Sequence, residues 1–271
     1  MANLQFLEGA DLRSGVERSY QSAVRGELDA IIVGGGDGSI RTAAAVLANS
    51  EVPLGILPMG TLNHFAKDLK IPLVLEEAVT IIAAGESRRI DLAEVNGQIF
   101  INNSSIGIYP YMVLERERRQ RGDGMPKWPA MMLAGLKVLK NFPVRRLLIQ
   151  GSDLTEPCRS PCVFIGNNVY HFAGPAAGGR DRMDAGQLCL CVAKQETRLG
   201  MLRLGIRSII GRFDQSRDLR IMTLAEFVIS SKRKRLLVAS DGEIEILKSP
   251  LHYKIRPGAL RILAPIPDNV E

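Results

Sequence analysis

Residues Gly34 to Ser39 read Gly-Gly-Gly-Asp-Gly-Ser, between an apolar run and an alanine-rich one. Glycines that leave a buried strand and open a helix let the backbone approach a ligand closely. The unpaired N–H groups of the helix start then face that ligand, and the helix dipole favours negative charge there. Such a turn suits a phosphate. Asp37 conflicts with a bare phosphate, because like charges repel. A divalent cation between the two removes the conflict, so the stretch reads as a site for a magnesium polyphosphate. Its spacing fits neither the dinucleotide fingerprint nor the Walker loop. A tight turn with a capping aspartate is the plainer alternative. A second turn, "ILPMGTLNHFAKDL", again sets a glycine before a helix start. Thr61 could donate to a phosphate oxygen, and Asn63 could reach a phosphate or the ribose. Both could equally cap the helix that follows.

These residues need elements to hold them. Asp11 to Gly26 reads as a helix with an acidic start and a glycine stop. "DAIIVGG" and "VPLGILPMG" read as short buried strands, and "SIRTAAAVLANS", "TLNHFAKDL" and "LEEAVTIIAAG" as helices. Strand and helix in that alternation imply a parallel α/β layer with ligands at the carboxyl ends of its strands, so both turns lie at one edge. After about Arg88 the rhythm changes. "RRIDLAEVNGQIFINNSSIG" predicts two strands around an Asn-Gly turn. "RRLLIQG", "PCVFIGNN", "QLCLCVAK", "FVISSKRKRLLVASDGEIEIL", "LHYKIRP" and "ALRILAP" predict further short strands. The expected architecture is α/β in two domains. Residues 1–90, completed by 257–271, form the parallel α/β domain, and 91–256 form an antiparallel, β-sandwich-like domain.

With 271 residues, 46% hydrophobic and 24% charged, the chain has globular composition and length for one large or two ordinary domains. The net charge of +6 suits an anionic substrate, an anionic membrane surface or nucleic acid, without choosing among them. Four cysteines are too few for a disulfide scaffold, and no histidine completes a zinc pattern, so core thiols are expected. The start has no signal-peptide core, and no run approaches the ~20 apolar residues of a spanning helix. A soluble or peripheral protein in a reducing compartment is expected.

"GGGDGS", "PMGTLNHFAKDL", "RIDLAEVNGQIFINNSSIG" and "SDGEIE", in that order and separation, resemble the diacylglycerol kinase catalytic family, most closely its soluble bacterial lipid kinases. The resemblance covers nearly the whole chain. It implies ATP-dependent, Mg2+-dependent phosphorylation of a lipid hydroxyl, in a cleft between an NAD kinase-like α/β domain and a β-sandwich-like domain. Carried over by motif, Gly35, Gly36, Asp37, Gly38 and Ser39 would line the ATP phosphates, with Asp37 acting through magnesium. Thr61 and Asn63 would share that pocket. Asp91 would lie where nucleotide and domains meet. Asp241 and Glu243 would fall at the catalytic position, one of them accepting the proton of the lipid hydroxyl. Residues two apart on a strand can point the same way, which agrees with a shared task. A solvated Asp-Gly hairpin is the alternative there.

The chain departs from the family pattern in three places. The opening Asn-Pro-x-Ser-Gly-type phosphate loop has no counterpart upstream of Gly34. His64 stands where many relatives have aspartate. Ala185 stands where the relatives' structural magnesium loop has an aspartate immediately before its glycine, leaving Asp184, one residue early, as the candidate ligand. Two other readings therefore accompany the lipid kinase. One is a catalytically impaired lipid- and nucleotide-binding relative; the other is a small-molecule kinase of the NAD kinase type. Residues 113–142 join a basic cluster to an apolar segment with Trp128, Lys127, Lys137 and Lys140, which suits a water–lipid boundary or a core-packing helix. The implied partners are a lipid substrate and an anionic membrane surface, not nucleic acid. The implied location is cytoplasmic, at the inner face of the membrane. A homodimer is left open.

Overall fold

The computed structural model describes residues 9–123, 144–152, 154–172, 177–209 and 214–266. Its first elements are α1 (Gly9–Val24), β1 (Ile31–Gly35), α2 (Asp37–Leu47), β2 (Leu54–Pro58), α3 (His64–Asp68) and α4 (Leu75–Ala84). β1 and β2 pair in parallel, Ile31 with Leu54 through Gly35 with Pro58. In α2, Ile40, Ala43, Ala44 and Leu47 are buried. Their spacing puts all four on one stripe of the helix. That stripe packs with Ile31, Val33, Leu54, Ile56 and Phe65 in one core.

The later elements are β3 (Ser87–Val95), β4 (Gln98–Phe100), β5 (Asn103–Gly107), α5 (Ile108–Asp123), β6 (Arg145–Gln150), β7 (Thr155–Ser160), β8 (Cys162–Asn167) and β9 (Leu188–Ala193). They continue with α6 (Arg198–Ile209), α7 (Gln215–Asp218), β10 (Leu219–Leu224), β11 (Glu226–Ser231), β12 (Arg235–Ser240), β13 (Glu243–Lys248) and β14 (Leu251–Leu263). β3 and β4 form the hairpin expected from Asn96-Gly97, whose φ angles of 48° and 82° make the turn.

Several expectations need correction. The segment 88–107 holds three strands, not two, because the chain turns again at Ile101 and Asn102. "LHYKIRP" and "ALRILAP" are one strand, β14, which absorbs Pro257 and Gly258 as a shift in pairing between Arg256 and Leu260. β7, β10, α5 and α6 were not expected at all.

β14 organises the molecule. It pairs antiparallel with β11 at one end, parallel with β2 at Ile262, and antiparallel with β3 along its length. The first sheet therefore runs β1-β2-β14-β11-β6-β7, with β3 and β4 beside it. The second sheet runs β10-β9-β8-β5-β12-β13, antiparallel throughout. Between the sheets lies a second core that includes Val95, Phe100, Ile106, Ile165, Leu190, Phe227, Val238 and Tyr253. Tyr253 stacks on Phe227 at 5.2 Å and meets Phe100 edge-on. The divisions at residues 90 and 256 fall inside β3 and β14, so the two halves share strands rather than a linker.

The four cysteines are free, and Cys189 and Cys191 are buried on β9. Burial pushes the Cys191 thiol up to about 12 and those of Cys158 and Cys162 to about 11. Among the described residues no helix is long and apolar enough to cross a membrane. Trp128, Lys127, Lys137 and Lys140 lie outside the described residues.

Candidate active site

Parallel pairing of β1 and β2 brings both strand-to-helix turns to one sheet edge, where the Met59 N–H donates to the Gly35 carbonyl at 3.1 Å. The turns touch through bare backbone. A Cβ on Gly60 would lie 2.4 Å from Gly36 Cα, which no side chain tolerates. A Cβ on Gly35 would lie 2.6 Å from Ser39 Oγ. Gly36 is the N-cap of α2 and offers no side-chain acceptor. The first-turn N–H groups, those of Asp37, Gly38 and Ser39, are thus left for an outside acceptor. Thr61 is exposed beside them.

Two residues placed in this pocket have local duties. Asp37 Oδ1 accepts from the Phe65 N–H at 3.0 Å and Oδ2 from the His64 N–H at 3.2 Å. Asn102 Nδ2 adds a third hydrogen bond to Oδ1 at 3.4 Å. Asp37 therefore caps α3 from another helix, while one lone pair of Oδ2 stays uncommitted. Asn63, expected near a phosphate or ribose, has a structural task in this turn. Its side chain closes the turn itself, accepting from the Gly60 N–H and donating to the carbonyls of Gly60 and Pro58. It is 8% exposed and sits in the left-handed region.

The two acids of "SDGE" part company. Asp241 has a fully buried side chain that accepts the N–H groups of Ile101, Asn102 and Asn103 at 2.8, 2.8 and 3.1 Å. Burial pushes its carboxyl up, opposed by those three donors and by the Arg41 guanidinium. It fixes the turn and has no face toward a substrate. Glu243 is open, with 62% of its side chain exposed. A Cβ on Gly38 would lie 3.6 Å from Glu243 Oε1, so this carboxylate stands over the glycine turn. Arg41, one helical turn beyond Asp37, holds it: Nη1 reaches Glu243 at 2.6 Å, Nη2 reaches Glu245 at 3.1 Å and Nε donates to the Ile99 carbonyl.

Asp91, expected where nucleotide and domains meet, lies buried at the junction of the two halves. It is 1% exposed, and its two oxygens accept the N–H groups of Gly186 and Gly258. It staples the β14 bulge to the loop before β9. Asp184 pairs with the neighbouring Arg182 at 3.0 Å. Among the described residues no three His, Cys, Asp or Glu side chains gather as a metal site. Beside Asp184, Ala185 donates its N–H to Asn168 Oδ1.

The sequence reading missed Arg41, Asn102, Asp68 and Arg180. Arg180 is fully buried, with Nε 2.7 Å from Asp68 Oδ2. Its other nitrogens reach the carbonyls of Ile101 and Asn167 and Asn102 Oδ1. Its guanidinium lies 5.0 Å from the Tyr170 ring. A buried arginine must find such partners, but Asp68 lies 112 positions away, so no local pattern reveals the pair.

Residues 8–95 match the model of the diacylglycerol kinase catalytic domain, and residues 116–264 match that of the YegS C-terminal NAD kinase beta sandwich-like domain. An uncharacterised protein of Synechocystis is 28% identical over 246 residues, 88% of this chain and 55% of that protein. A protein of Yersinia pestis named "Probable lipid kinase YegS-like" is 39% identical over 104 residues, 37% of this chain and 34% of that protein. The chain thus spans about half the length of the first of these relatives and a third of the second. A crystal structure of a diacylglycerol kinase from Bacillus anthracis superposes with a TM-score of 0.68 at 20% identity, over 97% of this chain and 84% of that one, which shows a shared fold. Two domain models in succession, the second alone covering more than half of the residues, leave one assignment: the chain belongs to the diacylglycerol kinase–YegS family of bacterial lipid kinases.

Proposed function

We propose that this chain transfers the γ-phosphoryl group of ATP to the hydroxyl of diacylglycerol or a related lipid, with Mg2+. The observation that carries this reading is the placement of Glu243. A solvent-facing carboxylate from the β-sandwich half stands over the phosphate-type turn of the α/β half. That is where an acceptor hydroxyl must meet a terminal phosphoryl group.

The donor set at Asp37 fits a magnesium ion, which takes one or two carboxylates and completes its shell with water and substrate phosphates. Asp37 would hold it through the uncommitted lone pair of Oδ2. Bound there, the ion would neutralise charge on the phosphates. The chain's own groups do the rest. The first-turn N–H groups of α2 and the Thr61 hydroxyl orient phosphate oxygens. Glu243 orients the lipid hydroxyl and takes its proton late, as a loose transition state requires. Arg41 and Asp241 hold Glu243 and its turn in place.

Support for work at a membrane surface comes from the net charge of +6 and from the exposed run Lys232, Arg233, Lys234 and Arg235, which leads from β11 into the start of β12. We place the protein in the cytoplasm, touching the anionic inner leaflet to reach its lipid. The test is transfer of radiolabel from ATP to a panel of diacylglycerol, phosphatidylglycerol and a sphingoid base in mixed micelles. One labelled lipid is expected, with label lost on chelation of magnesium. No labelled lipid at saturating Mg·ATP overturns the reading.

A further inference from the structure

Asn102 is buried in the turn between β4 and β5, and it reaches both halves of the cleft. Its side-chain Nδ2 donates to Asp37 Oδ1 at 3.4 Å. Its side-chain Oδ1 accepts from Arg180 Nη2 at 2.7 Å. Its backbone N–H donates to Asp241 Oδ1 at 2.8 Å, and its carbonyl accepts from the Tyr170 hydroxyl at 3.0 Å and the Asn167 N–H at 2.9 Å. One residue thus touches the acid of the glycine turn, the acid that fixes the acceptor turn, and the arginine that anchors α3 through Asp68.

We propose that Asn102 is a positioning residue that keeps the nucleotide turn and the acceptor turn in register. This rests on the lipid kinase reading for its catalytic consequence, and on geometry alone for the mechanical link.

The chemistry at this position is restrictive. The side chain lies between an anion and a cation, and an amide presents a donor at one end and an acceptor at the other. Only one orientation works. Flipped, its oxygen would face the Asp37 carboxylate and its NH2 group would face the Arg180 guanidinium. An aspartate of the same shape would set a second carboxylate against Asp37. An aliphatic isostere would leave Asp37 and Arg180 each short of a partner in a buried place. The backbone bond to Asp241 survives any side-chain change, so substitution leaves the acceptor turn its hydrogen bonds but cuts the side-chain tie to the glycine turn, and each turn loses the restraint the other supplied.

The experiment compares N102A, N102D and, as a control for a lost buried hydrogen bond in the same segment, S104A. Ser104 bonds Tyr253 and Ser240 inside the sandwich and touches neither turn's acid. In steady-state assays N102A should lower kcat on the order of a hundredfold, because small misplacements of reacting groups cost that much. KM for Mg·ATP should stay within about threefold, since the phosphate-facing N–H groups of α2 remain. N102D should fall below N102A, although it fills the space better. A space-filling role predicts the opposite order and would overturn the proposal. Hydrogen exchange without nucleotide provides a readout that needs no catalysis. In both Asn102 variants, residues 61–68 and 239–245 should exchange faster together, by about tenfold, whereas S104A should leave 61–68 unchanged. Unaltered exchange in either segment of N102A overturns the link, even if the lipid assay succeeds. Absence of lipid phosphorylation by the unaltered protein, with coupled exchange intact, overturns only the lipid kinase reading. Should N102A not fold, R180K reads the same link, because lysine keeps the charge but loses the fork that reaches Asn102 and Asp68.

Discussion

Glu243 and Asp241 stand two residues apart and face opposite fates, and burial decides which of them can act on a substrate. Glu243 keeps solvent on one side and Arg41 on the other. Glu243→Gln should lower kcat on the order of a hundredfold, with little change in KM for ATP or in melting temperature. Asp241→Ala should act differently. It strands three backbone donors in the interior, so a stability loss of about 3 kcal/mol is expected, with activity falling alongside the fold. Thermal melts run beside the kinetics separate the two. If Asp241→Ala left the melt unchanged while abolishing turnover, the structural role assigned to it would be wrong. Asp37 combines both duties. Asp37→Ala should remove Mg·ATP binding in calorimetry and also cost about 1 kcal/mol for the lost cap of α3. Tight Mg·ATP binding by that variant would refute the role given to the carboxylate.

Local pattern decided how much of each element could be read. The stripe Ile40, Ala43, Ala44, Leu47 announces α2, because a buried helix face repeats at that spacing. The Asn96-Gly97 pair announces its hairpin for an equally local reason. β7 escaped because "TEPCRS" carries Pro157, which argues against a central strand; β7 lies at the end of its sheet, where proline is tolerated. α5 escaped because its charged sequence shows no apolar stripe. The acids of the site were legible by type and spacing, but their duties were not. Asp241 meets its donors from 138 to 140 positions away, and Arg41 meets Glu243 across 202. No window of sequence contains such partners. The contact between the two turns offers an element-scale test. Gly60→Ala would drive a methyl into Gly36, so the strand ends must separate. A loss of about 1 to 3 kcal/mol is expected, together with weaker ATP binding, because the glycine turn is displaced. Unchanged melting and unchanged ATP affinity would show that the turns do not need this approach.

At the scale of the whole molecule, shared strands and a buried ion pair argue against independent halves. β3 and β14 serve both, and Arg180 fastens the loop before β9 to Asp68 of α3. Calorimetry should therefore show one unfolding transition. Arg180→Leu should lower it by about 3 to 5 kcal/mol without splitting it, since Asp68 is left without its counter-ion. Two resolved transitions in the unaltered protein would mean that the halves are separable after all.

The central place of β14 also bears on synthesis. A ribosome delivers β1, β2 and β3 long before the strand that must lie between β2 and β11. Until it emerges, the edge of β2 and the apolar faces waiting for Leu260 and Ile262 are left uncovered in the nascent polypeptide. Completion of the first sheet waits for β14, which follows in the chain every other strand of that sheet, so the earlier strands must stay competent to receive it.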